Sequence, residues 1–484
     1  MAAVWKPLHG YELVVGLEVH VELKTKTKIF CGCKTDFGAP PNTQCCPVCL
    51  GLPGALPVLN REVVHLAVLA GLATNCQIAP RCGHDRKNYF YPDLPKAYQI
   101  SQYDVPLCQG GHLTIETPQG AKTIGITRIH IEEDAGKLIH DPEHGTLIDC
   151  NRCGVPLIEI VSEPELRTPQ EAAAYLRKLR AILAYTGVSD CRMNEGSLRC
   201  DVNLSIRKPG APLGTRTEMK NLNSFQSVQR AIDEEYRRQV QAVEAGEAIV
   251  QETRRFDQHT GKTFPMRRKE NAHDYRYFPD PDLPPIVLDA AQIEAWRQEL
   301  PILPDTRKAA YIRDAGLSAD AAEQLVSEKA LADYFEAACR HTDFPRTLAN
   351  LMLTEIFRLL PPESTSIPIA PEHLGQLADL AESGAISNSV AKRAVAALWE
   401  HDQPPTAWID AEGLRQISDP EALRALAQRA IAENPQLTAG YYRGKTNLSR
   451  ALMGAAMSLS GGKANPALLQ QLMDEELSRG RPDA

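Results

Sequence analysis

The sequence predicts an α+β fold, and three observations carry that prediction. Short runs of alternating apolar and polar residues, separated by Gly, Pro, Asn and Asp turns, fill the first ~290 residues and read as strands of an antiparallel sheet. A few amphipathic helices interrupt them without a βαβ rhythm, which favours an α+β domain over a doubly wound one. Beyond Pro279-Asp280-Pro281-Asp282-Leu283-Pro284-Pro285 the chain becomes rich in Ala, Leu, Glu and Arg at helical spacing, with a break from Pro361 to Pro371.

Each element follows in chain order. From Leu13 to Leu23, the residues Leu13, Val15, Leu17, Val19, Val21 and Leu23 share one face, and Glu18, His20 and Glu22 share the other. Val63 to Ala73 is apolar, too short to cross a bilayer, and fits a buried helix. Ile124 to Glu132 sets Ile129 and Ile131 against Arg128, His130 and Glu132, and Glu159 stands inside the apolar run Leu157 to Val161. Thr168-Pro-Gln-Glu171 is a capping box with Pro at the first helical position, and Tyr175, Leu176, Leu179, Ile182 and Leu183 form the stripe of the helix it opens. Leu198 to Arg207 alternates throughout, with Arg199, Asp201 and Asn203 on its polar face. A second helix begins near Ser224 and runs through Val228, Ile232 and Tyr236. Lys329 to Cys339 and Asn388 to His401 carry the helical pattern farther along. For any one strand the polar face reads as the solvated side of the sheet. Several strands with carboxylates, His and Arg on their polar faces make a bed suited to Mg²⁺ and a nucleotide.

Composition bounds the answer. With 43% hydrophobic and 24% charged residues in 484, the chain reads as a soluble protein of several domains, not a disordered, collagenous or membrane one. A formal charge of −8 removes bulk basicity as an argument for nucleic-acid binding. Local basic groups remain at Arg254, Arg255, Lys262, Arg267, Arg268 and Lys269, and at Arg443, Lys445, Arg450 and Lys463. No secretory, transit or spanning segment stands out, so a cytoplasmic protein with no membrane partner is expected.

Of 13 cysteines, 12 lie in the first 200 residues. Cys31-Gly-Cys33 and Cys46-Pro-Val-Cys49 form C-x-C and C-x₂-C knuckles, the arrangement of a structural Zn²⁺ site rather than of free thiols. Cys45 is the spare, because adjacent residues point apart in extended backbone. Cys150 and Cys153 read as small core residues without a second metal pair. No P-loop, dinucleotide fingerprint or nucleophile elbow stands out, so any ATP site is of another kind.

Longer motifs carry a resemblance. They are Gly16-Leu-Glu-Val-His20, Asp85-Arg-Lys-Asn-Tyr-Phe-Tyr-Pro-Asp93, Tyr98-Gln-Ile-Ser-Gln102 and His130-Ile-Glu-Glu-Asp-Ala-Gly-Lys137. They continue with Gly154-Val-Pro-Leu-Ile-Glu-Ile-Val-Ser-Glu-Pro164, Glu195-Gly-Ser-Leu-Arg-Cys-Asp201, Lys220-Asn-Leu-Asn-Ser-Phe225, Asp274-Tyr-Arg-Tyr-Phe-Pro279 and Gly462-Lys-Ala-Asn-Pro466. In these the chain resembles the GatB family, which supplies one component of the tRNA-dependent amidotransferase GatCAB. Cys82-Gly-His84 departs from it, since an apolar residue usually precedes the Asp-Arg-Lys-Asn-Tyr motif.

The resemblance implies a glutamine-synthetase-like antiparallel-sheet cradle, a helical domain and a small helical YqeY-like tail that touches tRNA. The corresponding ranges are 1–292, 293–405 and 406–484, with the zinc knuckle in the first. It implies a ligase forming carbon–nitrogen bonds with glutamine as amide donor. ATP would phosphorylate the side-chain carboxylate of Glu-tRNA(Gln) or Asp-tRNA(Asn), and ammonia would arrive from a GatA-type amidase held by a small GatC-type protein in a heterotrimer. The implied cofactors are ATP and Mg²⁺.

On that reading Glu18, His20, Glu133 and Glu159 are the metal or phosphate-site residues, with Glu132, Glu195 and Asp201 close by. Strand alternation puts Glu132 on the His130 face, and a bulge after Ile131 would put Glu133 there, so both stand as candidates. Arg199 and Lys220 would meet ATP phosphates or the tRNA terminus, and Lys87 would line the ammonia path. The rival reading is a non-catalytic, zinc-stabilised tRNA-binding adaptor with a merely solvated acidic face.

Overall fold

The alternating segments pair into one large sheet. This computed structural model describes residues 5–268, 272–361 and 364–480, without the side chains of residues 267, 268, 272 and 273. Lys269 and the side chains of Arg267 and Arg268, from the first basic group, therefore lie outside the described residues. The chain divides into two compact units, Met1–Leu303 and Pro304–Ala484.

In the first unit the strands are β1 (Glu12–Glu22), β2 (Gln77–Ile78), β3 (Arg81–Cys82), β4 (Asp85–Asn88), β5 (Tyr98–Ser101), β6 (Cys108–Thr117), β7 (Gly120–Glu133) and β8 (Lys137–Asp141). Then come β9 (Gly145–Asp149), β10 (Pro156–Ser162), β11 (Leu198–Arg207), β12 (Thr217–Lys220), β13 (Glu252–Asp257), β14 (Lys262–Arg268), β15 (Phe278–Pro279) and β16 (Ile286–Val287). Nine of them form one sheet in the order β14-β13-β12-β11-β1-β10-β7-β6-β2. Every pair in it is antiparallel except β12 with β13. A three-stranded sheet β15-β4-β5 stands apart from it.

The period-2 pattern decides which face is dry. Leu13, Val15, Leu17, Val19 and Val21 are all at most 1% exposed and belong to one core with α1 (Arg61–Ala73), α2 (Pro169–Tyr185) and α3 (Phe225–Glu244). At about 25 cal/mol per Å², a core of this extent supplies most of the unit's stability. The caps that sequence signals announce are present. Thr168 Oγ1 accepts from Glu171 N–H at 3.1 Å, and Ser224 Oγ accepts from Ser227 N–H at 3.0 Å. The Glu171 carboxylate reaches one residue past the box, accepting from the Arg167 N–H at 2.9 Å.

The polar face is not solvated at its centre. His130 and Glu132 are each 3% exposed, because the strands β4 and β5 and the segment around Tyr275 lie over it. Gln102, just after β5, ties that cover down: its Oε1 accepts from Ile131 N–H at 3.0 Å and its Nε2 donates to Gly83 O at 2.9 Å.

The second unit is helical among its described residues. Leu325, Phe335, Leu348, Met352, Leu377 and Leu398 build one core, and Leu423, Leu452, Leu469 and Met473 build a second. The helices Lys329–Cys339 and Asn388–Glu400 fall where the 3.6-residue spacing puts them. No helix of the described residues is long and apolar enough to cross a membrane.

Candidate active site

Register builds the site. β1 lies between β10 and β11, which sets His20 opposite Glu159 and Arg199, and Glu18 opposite Val161 and Asp201. Glu159 in turn faces His130 on β7, and Val161 faces Arg128. Facing residues in an antiparallel ladder share a side of the sheet. One row therefore reads Arg199, His20, Glu159, His130, and the next holds Asp201, Glu18 and Arg128.

The first row closes into a ring with Glu132. His20 Nε2 lies 3.5 Å from Glu132 Oε1 and 3.5 Å from Glu159 Oε2. His130 Nε2 lies 3.6 Å from Glu132 Oε2 and 3.4 Å from Glu159 Oε2. Burial works against a charge on His20, but the hydrogen bond and charge of Glu159, with Glu132 and Asp201 behind, prevail and raise it to about 9. Burial likewise opposes the charge on Glu159, yet His130, His20 and Lys87 hold its carboxyl well below the usual range.

The sign of the resulting pH dependence follows. An unfolded histidine titrates near 6.5, so the His20 pairing stabilises the metal-free chain fully below that pH and is lost as pH rises through about 9. Calorimetry of the metal-stripped chain should show its melting temperature falling over this window. His20→Gln should flatten the fall.

Glu218, opposite Asn203 in the adjoining row, joins Glu18 and Asp201, and the nearest carboxylate oxygens of the three lie within 4.8 Å of one another. Asn203 Nδ2 donates to Glu18 Oε1 at 2.8 Å, and Thr253 Oγ1 donates to Glu218 Oε2 at 2.8 Å. Lys220 pairs with Asp201 and with Glu218, the latter at 3.4 Å. Burial opposes its charge, but these two carboxylates raise its pKa. Above the rows Lys87 reaches in from β4, its Nζ 4.9 Å from the Tyr275 ring centroid. Burial would discharge it, and Tyr277, Glu132 and Glu159 keep it a cation. Both rows, Arg199 excepted, and this cover line one cavity of about 290 Å³.

Of the residues singled out in the sequence, Glu18, His20, Lys87, Glu159, Asp201 and Lys220 line this cavity, and Glu132 joins through its histidines. Three lie apart from it. Glu133, with no bulge after Ile131, keeps the opposite parity: its carboxylate takes Lys96 and the Ile100 N–H at 2.9 Å. Arg199 turns its guanidinium to Asp134 at 2.6 Å, and Glu195 pairs with Arg192 at 2.7 Å. Glu218 has no assignment from sequence because β12 is four residues long, too short for alternation to register. Arg128, Tyr89, Tyr275 and Tyr277 stand inside legible strands or motifs, but nothing in their spacing says they converge.

His84 solves its unusual position by acting as an apolar ring. It is 3% exposed, lies edge-on to Phe30 at 5.7 Å, and burial pushes it down to about 4, so it is neutral.

The Sγ atoms of Cys31, Cys33, Cys46 and Cys49 lie within 4.8 Å of one another. Tetrahedral zinc at about 2.3 Å separates its sulfurs by about 3.8 Å, and Cys46 and Cys49 stand 3.9 Å apart. The four residues therefore fit the ion. Cys45 turns away, its Sγ 3.7 Å from Asn151 Oδ1. Cys150 and Cys153 are buried against the knuckles in a small cluster separate from the main core.

Comparison with known proteins agrees with this geometry. Residues 13–294 match the GatB/GatE catalytic domain, and residues 333–477 match a second GatB domain, of the Yqey type. The chain is 53% identical over 477 residues to the B component of an aspartyl/glutamyl-tRNA(Asn/Gln) amidotransferase from Caldicellulosiruptor saccharolyticus, covering 97% of this chain and 99% of that protein. It is 52% identical over 473 residues to the protein of the same name from Caldanaerobacter subterraneus, covering 97% of this chain and all of that one. The Geotalea daltonii protein of that name is 50% identical over 475 residues, with 96% and 99% covered. With one match spanning the sheet and its cavity, the other the helical region, and such identity along nearly the whole chain, this protein belongs to the GatB family of tRNA-dependent amidotransferase components.

Proposed function

We propose that this chain is the subunit in which ATP activates the side-chain carboxylate of Glu-tRNA(Gln), Asp-tRNA(Asn) or both, and ammonia then forms the amide. The observation that carries the reading is the single cavity of about 290 Å³ that holds both carboxylate rows under Lys87, with Arg128 and Lys220 at its edge. A carboxylate is a poor acyl donor because oxide would have to leave. Transfer of the γ-phosphoryl group to a carboxylate oxygen gives an acyl phosphate and ADP, and attack by ammonia then expels inorganic phosphate. Such chemistry asks for positioning and charge neutralisation, with no protein nucleophile.

Glu18, Asp201 and Glu218 offer the oxygen ligands Mg²⁺ prefers, and the His20, Glu132 and Glu159 group offers a mixed set. Bound there, Mg²⁺ would supply positive charge to phosphate oxygens. Arg128 and Lys220, which line the same cavity, would draw the same oxygens. Glu133 belongs to the frame, not the chemistry, since Lys96 and a backbone N–H satisfy it. We assign residues 1–292 to a cradle-like catalytic domain of the glutamine-synthetase kind. Residues 293–405 form the helical domain, and 406–484 the tail that meets tRNA. A GatA-type amidase would supply the ammonia, with a small GatC-type protein holding the assembly together, and zinc at the four cysteines would be structural.

The adaptor reading predicts that the acidic face is dispensable. Glu18→Gln in the assembled complex should lower amidation by about 10²-fold or more and leave tRNA affinity unchanged in filter binding. Retained amidation would favour the adaptor. Lys87 lies over the cavity, where ammonia would enter. Lys87→Met should lower glutamine-driven amidation more than amidation by added ammonium salt, whereas equal losses would place Lys87 in the chemistry itself.

A further inference from the structure

Lys28 is an anomaly of the cysteine cluster. It is 0% exposed, one of the largest fully buried side chains of the protein. Among the described residues its Nζ donates only to the carbonyl of Cys150, at 3.3 Å, and no carboxylate lies within ion-pair distance of it. An ammonium held by one neutral acceptor in a dry site is unfavourable unless negative charge stands close by.

A Cβ built at Gly154 would lie 3.7 Å from Lys28 Cδ, 3.7 Å from Cys49 Cβ and 3.9 Å from Glu133 Oε2, so the lysine stem flanks the same glycine as Cys49 and as a carboxylate that Lys96 and the Ile100 N–H already hold. Gly154 has φ +78°, which only glycine adopts freely. The Lys28 N–H donates to Cys33 O at 2.9 Å, so the residue is also joined to the first knuckle.

We infer that Lys28 is the charge partner of the four-cysteine metal site, its buried ammonium offsetting part of the negative charge of a zinc–tetrathiolate group. The inference rests on the zinc reading of that site. Four thiolates on Zn²⁺ carry a net charge of about 2−. Three of the cysteines are partly exposed, and Lys28, which is fully buried, sets a fixed counter-charge on the inner side of that group, the role that outer groups play around metal ligands generally. Lys28 is then a positioning residue for the metal: it touches none of the reacting atoms, and its loss acts through the thiolates.

The test is metal retention, measured on the full-length chain with a chromogenic zinc chelator and by metal content. Lys28→Met keeps the length of the side chain and removes the charge. It should weaken zinc binding by about 10–100-fold, while Lys28→Arg, which keeps the charge, should stay within about threefold of the unaltered chain. If circular dichroism shows Lys28→Met unfolded, Lys28→Gln carries the same comparison. Zinc bound by the neutral variant as tightly as by the unaltered chain would overturn the inference and leave the zinc site standing, as would equal losses in the neutral and the Arg variants. An unaltered chain without zinc would overturn both.

Discussion

Glu159→Gln lowers amidation by about 10²–10³-fold in the assembled complex, while affinity for the misacylated tRNA changes little. The magnitude is that of removing one preorganised electrostatic contact from a closed site. Glu159 sits between two histidines, 3.5 Å from His20 and 3.4 Å from His130, and Lys87 adds to the field that keeps it ionised. A glutamine keeps the volume and loses the charge. His20 then loses its strongest partner and its reason to stay protonated at neutral pH. Three neighbours lose their common counter-charge at once, so the effect exceeds that of an exposed carboxylate, where an ion pair is worth about 1 kcal/mol or less. Single-turnover amidation with saturating ATP reads the chemical step, and filter binding reads the tRNA.

With zinc at the four cysteines as proposed, Cys31→Ser should lower the melting temperature by about 10 °C and release the ion from the purified chain. The size follows from what else holds that segment. Between Cys31 and Leu52 the backbone has neither helix nor extended strand, and Phe37 and Leu52 are exposed. Its apolar contacts are Val48 against the main core and a small separate cluster around Cys49, Cys150 and Cys153. Polar ties fasten it to the β8–β9 hairpin and the turn after it: Asn42 Nδ2 donates to Ile148 O at 2.9 Å and Asn151 Nδ2 donates to Pro40 O at 2.7 Å. These contacts alone are too few to order a segment of this length. The effect extends to the site, because Ile29 N–H bonds Gly154 O at 2.9 Å and Gly154 N–H bonds Asp134 O at 3.0 Å, beside the β7 end that carries Glu132. Calorimetry with and without a chelator separates the metal's contribution from that of the serine.

The sequence makes the sheet legible because its strands are long. Over Glu12–Glu22 and Leu198–Arg207 period 2 leaves no doubt about which residues share a face, and Glu18, His20 and Asp201 stand together as alternation requires. The same rule separates Glu132 from Glu133 once β7 is seen to run unbroken through both. The convergence of Cys31, Cys33, Cys46 and Cys49 is legible because metal ligation imposes a local spacing. Three things are not legible. Glu218 sits on a strand of four residues. The cover over the site joins β4 to β15, a pairing so distant in sequence that no local pattern encodes it. Cys150 and Cys153 come to the knuckle only through tertiary packing, so their C-x₂-C spacing says nothing of where they go. Local periodicity thus yields faces, and long-range register decides which faces meet.

The central claim is that this cavity is where the carboxylate is activated. It is tested most directly by following ADP in the purified complex given ATP and Glu-tRNA(Gln) or Asp-tRNA(Asn), with no ammonia donor. The account predicts ADP formation that requires the misacylated tRNA, yields an acyl phosphate trappable by hydroxylamine, and disappears in Glu159→Gln while the tRNA still binds. A Glu159→Gln complex that forms ADP and traps hydroxamate at the rate of the unaltered complex would contradict it.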